Sequence, residues 1–151
     1  MTTVFPAAPD FLVDQRFSRA LRGYVDSVAS ALGVGPESCT VDVDVPASAY
    51  VALDWALPSF PDRDLALLWD EQHGWSAAVE THSGEDLLVL GYLGGTTVTP
   101  PPDTVAHFLE DVRTRPDRPG GPEPPVLRPA GWHDDLAAEL VQPARPRTRL
   151  R

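Results

Sequence analysis

Asp70-Glu71-Gln72-His73 places two carboxylates, an amide and an imidazole at four consecutive positions, directly after the apolar run Leu65–Leu68. An acid pair at the end of a strand is how many nucleic-acid helicases hold the magnesium ion of a nucleotide. That chemistry also needs a glycine-rich phosphate loop ending in Gly-Lys-Ser/Thr, whose lysine reaches the β and γ phosphates. All twelve basic residues here are arginine, and Gly91-Tyr-Leu-Gly-Gly95 lacks the spacing of such a loop. A nucleotide site is excluded.

Metal chemistry has donors but no pattern. His73, His82, His107 and His133 stand among many acids, yet their local spacings match no recognised ligand signature. His73 and His82 fall in two turns at opposite ends of one expected strand, roughly 20 Å apart on extended geometry. Asp42 and Asp44 alternate with Val41, Val43 and Val45, as acids on the solvent face of a strand do. Nucleophilic chemistry fares no better. Ser83-Gly-Glu-Asp is not a G-x-S-x-G elbow, and Cys39, the single cysteine, reads as a small half-buried residue. No catalytic, cofactor-binding or metal-ligating residue is assigned, and no cofactor is expected.

The hydrophobic pattern explains Asp70–His73 as a turn. With Gln72-His73-Gly74 as a three-residue loop, Trp69 opposes Ala77, Leu67 opposes Val79 and Leu65 opposes Thr81. Leu65, Leu67, Trp69, Trp75, Ala77 and Val79 then share one face; Ala66, Leu68, Asp70, Ser76, Ala78 and Glu80 share the other. Gly74 supplies the left-handed residue that such a loop requires. A second turn at His82–Glu85 aligns Val79 with Leu88, Ala77 with Leu90 and Trp75 with Tyr92. Leu87, Val89 and Leu93 make the last strand apolar on its second face too, so a cover is expected on both sides. The body's helices cover one side; the candidates for the other are a helix at Trp132, a second copy or a partner protein.

The remaining elements follow from periodicity. Phe17, Leu21, Tyr24, Val25, Val28 and Leu32 form the apolar stripe of a helix from about Pro9 to Leu32. Strands are expected at Thr40–Val45, an edge strand, and at Tyr50–Trp55, Leu65–Glu71, Trp75–Thr81 and Leu87–Leu93. Val105, Phe108, Leu109 and Val112 mark a helix over Pro102–Arg113. The fold class is α+β: an antiparallel meander of about five strands with an N-terminal and a C-terminal helix on one face. Residues 9–115 form this domain. Residues 116–130 read as a Pro/Gly-rich linker. Residues 131–142 read as a short docking helix with Trp132, Leu136 and Leu140 on one side, and 143–151 as an arginine-rich terminus.

Charge and composition narrow the function. Residues 1–112 carry 17 acids against 4 arginines, and residues 113–151 carry 5 against 8, for a net −10. An acidic body repels phosphate, so nucleic-acid binding by it is disfavoured. No apolar run reaches membrane-spanning length, the N-terminus does not read as a secretory signal, and a single cysteine suits a reducing cytosol. A cytoplasmic, non-enzymatic protein-binding or regulatory module is the expectation, acting through a sheet face or the edge strand, with another protein or a second copy as partner. The alternative is a small cofactor-independent enzyme or ligand-binding protein, such as one of a biosynthetic pathway. Its pocket would lie near Trp55, Trp69 and Asp62-Arg63-Asp64, with Trp75 and Tyr92 as further aromatic contacts. A third reading is an acidic decoy for a nucleic-acid-binding protein.

The stretch Phe60-Pro-Asp-Arg-Asp-Leu-Ala-Leu-Leu-Trp-Asp-Glu-Gln-His-Gly-Trp-Ser-Ala-Ala-Val-Glu80, with Ser83-Gly-Glu-Asp-Leu-Leu-Val-Leu-Gly-Tyr-Leu-Gly-Gly95, resembles a family of small proteins from actinobacteria such as Streptomyces, of unknown function. The likeness covers roughly residues 15–115. It implies no activity and no catalytic residues, and the tail after Pro116 lies outside it.

Overall fold

The computed structural model describes residues 7–81, 86–115 and 120–141, with side chains from residue 15 onward. The His82–Glu85 turn, residues 116–119 and the arginine-rich terminus from 142 lie outside the described residues. The order is α1 (Ala7–Leu32), a 3-10 turn (Pro36–Ser38), β1 (Cys39–Asp42), β2 (Ser48–Ala52), β3 (Leu65–Asp70), β4 (Gly74–Glu80), β5 (Leu87–Tyr92), α2 (Pro102–Thr114) and α3 (His133–Val141). The strands form one antiparallel sheet in sequence order, a meander with β1 and β5 at its edges.

Phe17, Leu21, Tyr24, Val25 and Val28 of α1 are buried, as the helical stripe requires. They meet Val51, Leu65, Leu67, Trp69, Trp75, Ala77 and Val79 from alternate positions of β2, β3 and β4, and Val105 and Val112 from α2. Two indole N–H groups in this core are satisfied. Trp69 Nε1 donates to the Val98 carbonyl at 2.6 Å and Trp75 Nε1 to the Tyr24 hydroxyl at 3.1 Å, so neither carries the cost of an unpaired buried donor.

The β3–β4 register differs from expectation by two residues. Leu65 pairs with Val79, Trp69 with Trp75 and Asp70 with Gly74, which leaves Glu71-Gln72-His73 as the loop. A shift of two preserves the faces, so the expected facial sets stand. Gly74 does take the left-handed backbone, at φ +75°. The loop moved because Asp70 Oδ1 accepts from the N–H of both Gln72 and His73 at 2.8 Å, a local side-chain turn that starts one residue early. On the other side Val79 pairs with Leu88 as expected, but a bulge between Ala77 and Ala78 makes Leu90 an extra residue and sets Gly91 opposite Ala77.

Two expected strands are shorter than their patterns. β1 stops at Asp42, where Asp42 Oδ1 caps the N–H of Asp44 at 3.0 Å. Val43 and Val45 consequently leave the sheet and stand 36% and 63% exposed, which corrects their assignment to a buried strand face. β2 ends at Ala52, before Trp55.

Of the proline-rich stretch read as a linker, residues 120–130 are described, and they are tied to the body. Gly121 and Tyr92 exchange both backbone hydrogen bonds at 2.9 Å, and Leu127 N–H donates to the Gln72 carbonyl at 2.8 Å. Gly120 is required at this seam: its φ is +106°, and a Cβ there would stand 2.5 Å from the Tyr92 carbonyl oxygen. The strap then delivers α3 onto α1, with Leu136, Ala137 and Leu140 buried.

Candidate functional site

Glu71 occupies the tip of the β3–β4 loop, yet its side chain is 0% exposed. Four donors surround the carboxylate. Oε1 accepts from the Arg128 guanidinium at 2.7 Å and the Gly131 N–H at 2.8 Å; Oε2 accepts from the Ala47 N–H at 2.6 Å and His133 Nε2 at 2.8 Å. Burial alone would push this carboxyl up, but the bonds from His133, Ala47, Arg128 and Gly131 outweigh it and hold the group below the usual range. The His133 ring also stacks on Phe17 with centroids 3.9 Å apart. Three of the four donors, Arg128, Gly131 and His133, come from the strap and the start of α3, so Glu71 is the point at which the tail is fastened.

Chemistry at this carboxylate is closed off. Four donors use about all the lone-pair positions a carboxylate offers, and a depressed pKa makes it a poor general base near neutrality. Cys39 is equally inert: burial, then the nearby charges of Asp26 and Glu37, push its thiol up, away from a nucleophilic thiolate. No cluster of three or more metal-binding side chains occurs among the described residues.

The sheet's second face is different. α1, α2 and α3 all contribute to the core beneath the first face, and α3 rests on α1 rather than crossing the sheet. Among the described residues no helix covers the face built from Tyr50, Ala66, Leu68, Ser76, Ala78, Leu87, Val89 and Tyr92. On it the Tyr50 hydroxyl of β2 reaches Glu80 of β4 at 2.7 Å. Tyr50 pairs with Leu68, and Ala66 lies one same-face position further along β3. The bond therefore passes above Ala66, which is 0% exposed although no helix covers it. Burial, followed by the bond to Glu80, pushes the Tyr50 hydroxyl up to about 12.

Beside this bridge lies a hollow of about 330 Å³ that takes in Thr40, Asp42, Tyr50, Leu68, Asp70 and Leu87. Flat strands would separate β1 from β5 by four spacings, about 19 Å. Leu87 and Thr40 reach one hollow because the sheet coils. The face is concave, apolar at its centre, and edged by Asp42, Asp70 and Glu80.

The residues singled out from the sequence are scattered over the molecule. Trp69 and Trp75 are 1% exposed and belong to the core; Leu136 and Leu140 are buried against α1 within the same chain. Trp132 does not dock with them. It precedes α3 at φ +53° and is 71% exposed, because Leu136 and Ala137, rather than a four-residue ladder starting at Trp132, define the buried side. Trp55 is half-buried against the core. Asp62 and Arg63 line a small depression with Ser59, Phe60 and Pro61 that includes neither Trp55 nor Trp69. Tyr92 lies on the open face, and Asp64, just before β3 and opposite Glu80, acts by its charge on Tyr50 there. Sequence reasoning missed Glu71, Arg128 and His133, and also Tyr50 and Glu80. One signal was legible, a single arginine between Arg118 and Arg145 in a proline-rich stretch.

The arrangement defines a class, an α+β protein whose meander sheet is backed, among the described residues, by helices on one face. Residues 24–111 match the model of a family of unknown function, DUF6292, and the chain belongs to that family. No curated protein matches the chain, and no solved structure does. The matched segment holds Glu71 and all five strands, whereas Arg128, Gly131 and His133 lie beyond it.

Proposed function

We propose that this protein is a non-enzymatic binding module that engages another protein through the open, concave face of its sheet. The observation carrying this reading is that the tail helix, the candidate among the described residues to cover that face, is spent on α1. The face retains apolar surface at Leu87, Leu68, Val89 and Tyr92, with Val89 37% exposed, and exposed apolar surface rimmed by polar groups is a recurrent mark of interaction sites. Its rim charges are Asp42, Asp70 and Glu80, so the complementary partner is basic. A net charge of −10 opposes self-association through the same face, which favours a different protein over a second copy. The lysine-free, arginine-rich composition supports an actinobacterial source, and the single cysteine supports a cytoplasmic setting.

The test is native mass spectrometry of the protein isolated from its source cells, beside a Leu68→Arg variant. The expected result is a stoichiometric protein partner of high pI that is absent from the variant, while the variant's melting temperature is unchanged. A partner retained by Leu68→Arg would remove the sheet face from consideration. The acidic-decoy reading uses the same surface and is distinguished by release in moderate salt of a protein that otherwise binds nucleic acid.

A further inference from the structure

A second unclaimed surface lies on the opposite side of the molecule, where α1 and α3 diverge. They leave a groove of about 560 Å³, within the range of small-molecule sites. Pro102 and Val141, the latter 67% exposed, contribute apolar surface to it, while Tyr24 and Leu140, each 2% exposed, lie beneath its floor. The Tyr24 hydroxyl donates to the Pro100 carbonyl at 2.6 Å and accepts from Trp75. Arg16 and Arg19 stand at the mouth, and Arg22, one turn on, lines an adjoining hollow with Arg19 and Asp26.

Two features set this groove apart. The first is charge. Residues 1–112 contain only four arginines against 17 acids, and three of the four stand here, at i, i+3 and i+6 of one helix. Arg16 approaches Asp134 at 3.6 Å with both side chains largely exposed, a weak surface pair. Neither Arg19 nor Arg22 has an ion-pair partner among the described residues. The second is Gly23, in the interior of α1 and on the groove's wall. Glycine at a helix interior is destabilising relative to alanine. A Cβ at Gly23 would meet nothing within 4 Å, so no neighbour among the described residues accounts for the missing side chain.

We infer that the groove binds an aliphatic carboxylate of medium chain length. The chain lies along Gly23, Pro102 and Val141, and the carboxylate meets the guanidinium groups of Arg19 and Arg16, whose planar fork suits that anion. This inference is independent of the sheet face.

The test is isothermal titration of the full chain with decanoate below its micellar concentration, beside decyltrimethylammonium as a chain of opposite charge. Saturable one-to-one binding of decanoate is expected, about tenfold weaker in Arg19→Gln, an exposed position whose change leaves the fold intact. Gly23→Ala should melt higher and weaken binding several-fold, whereas Gly23→Phe should fill the groove and abolish it, with Gly23→Leu as the substitute if the phenylalanine variant does not fold. No saturable decanoate binding, equal binding of the ammonium, or undiminished affinity in the groove-filling variant would each overturn the inference. So would an acidic amphipathic peptide that occupies the groove where decanoate does not.

Discussion

Glu71 is a charged residue in a two-strand turn, where solvent exposure is the ordinary expectation, and here it is among the most deeply buried groups in the molecule. Removing one partner of a buried, hydrogen-bonded ion pair leaves the other desolvated and uncompensated, at a cost of about 3–5 kcal/mol. Glu71→Ala should therefore lower the unfolding free energy by about that amount, measured by urea denaturation. Arg128→Ala should come close to the same loss, and the double variant should lose much less than the sum, since both act on one network. The carboxyl also sets an acid limit. Its pKa is depressed in the folded state below the ordinary 4.5, so its contribution is fully present above 4.5 and is lost as pH falls through the lower folded value. Melting temperature followed downward from pH 6 should fall across that window, and less steeply in Glu71→Gln, which has no carboxylate there to protonate.

At the scale of elements, α3 is nine residues long, too short to be stable alone in water. It exists because Leu136, Ala137 and Leu140 bury against α1 while Glu71 fixes its first turn. Leu136→Ala should cost about 2–5 kcal/mol through the cavity it leaves. Trp132→Ala should change stability by no more than about 0.5 kcal/mol, as an exposed substitution does. Equal losses in the two variants would show that the tryptophan docks after all. Hydrogen exchange provides a local readout: in Glu71→Ala the amides of α3 should lose protection before those of β3 and β4, because the Glu71 network is what ties the strap and the first turn of α3 to the sheet. The meander itself should persist, since its register rests on Leu65, Leu67, Trp69, Trp75 and Val79 and not on the tail.

Across the whole molecule, charge and coverage are both one-sided. Helices and strap occupy one face, and the other keeps a coiled hollow with acids along its edge. A partner drawn by that field should associate more slowly as ionic strength rises, with dissociation little changed, because screening acts on the long-range approach more than on the closed contact. Stopped-flow association at two salt concentrations would show this directly; a dissociation rate carrying all of the salt effect would place the charges inside the interface instead.

Periodicity over a handful of neighbouring residues was enough to reveal α1, α2, the five strands, their order and which side chains of β3 and β4 share a face; the bulge between β4 and β5 moved Tyr92 from its expected place opposite Trp75 to the other face. Such patterns are local: a helix or strand writes its buried side into every third, fourth or second residue. The two-residue error in the hairpin and the early end of β1 arose where one aspartate side chain, Asp70 or Asp42, captured backbone N–H groups and redrew a boundary without disturbing the pattern. Glu71 belongs to another category. Nothing near it in the chain announces burial, because its partners stand at Ala47, Arg128, Gly131 and His133. A carboxylate is tolerated in the interior only where enough donors converge on it, and that convergence is a property of the folded chain. The sequence by itself determined the elements, their meander and the acidic balance; tertiary structure alone decided where the tail goes, and therefore which face of the sheet is left open.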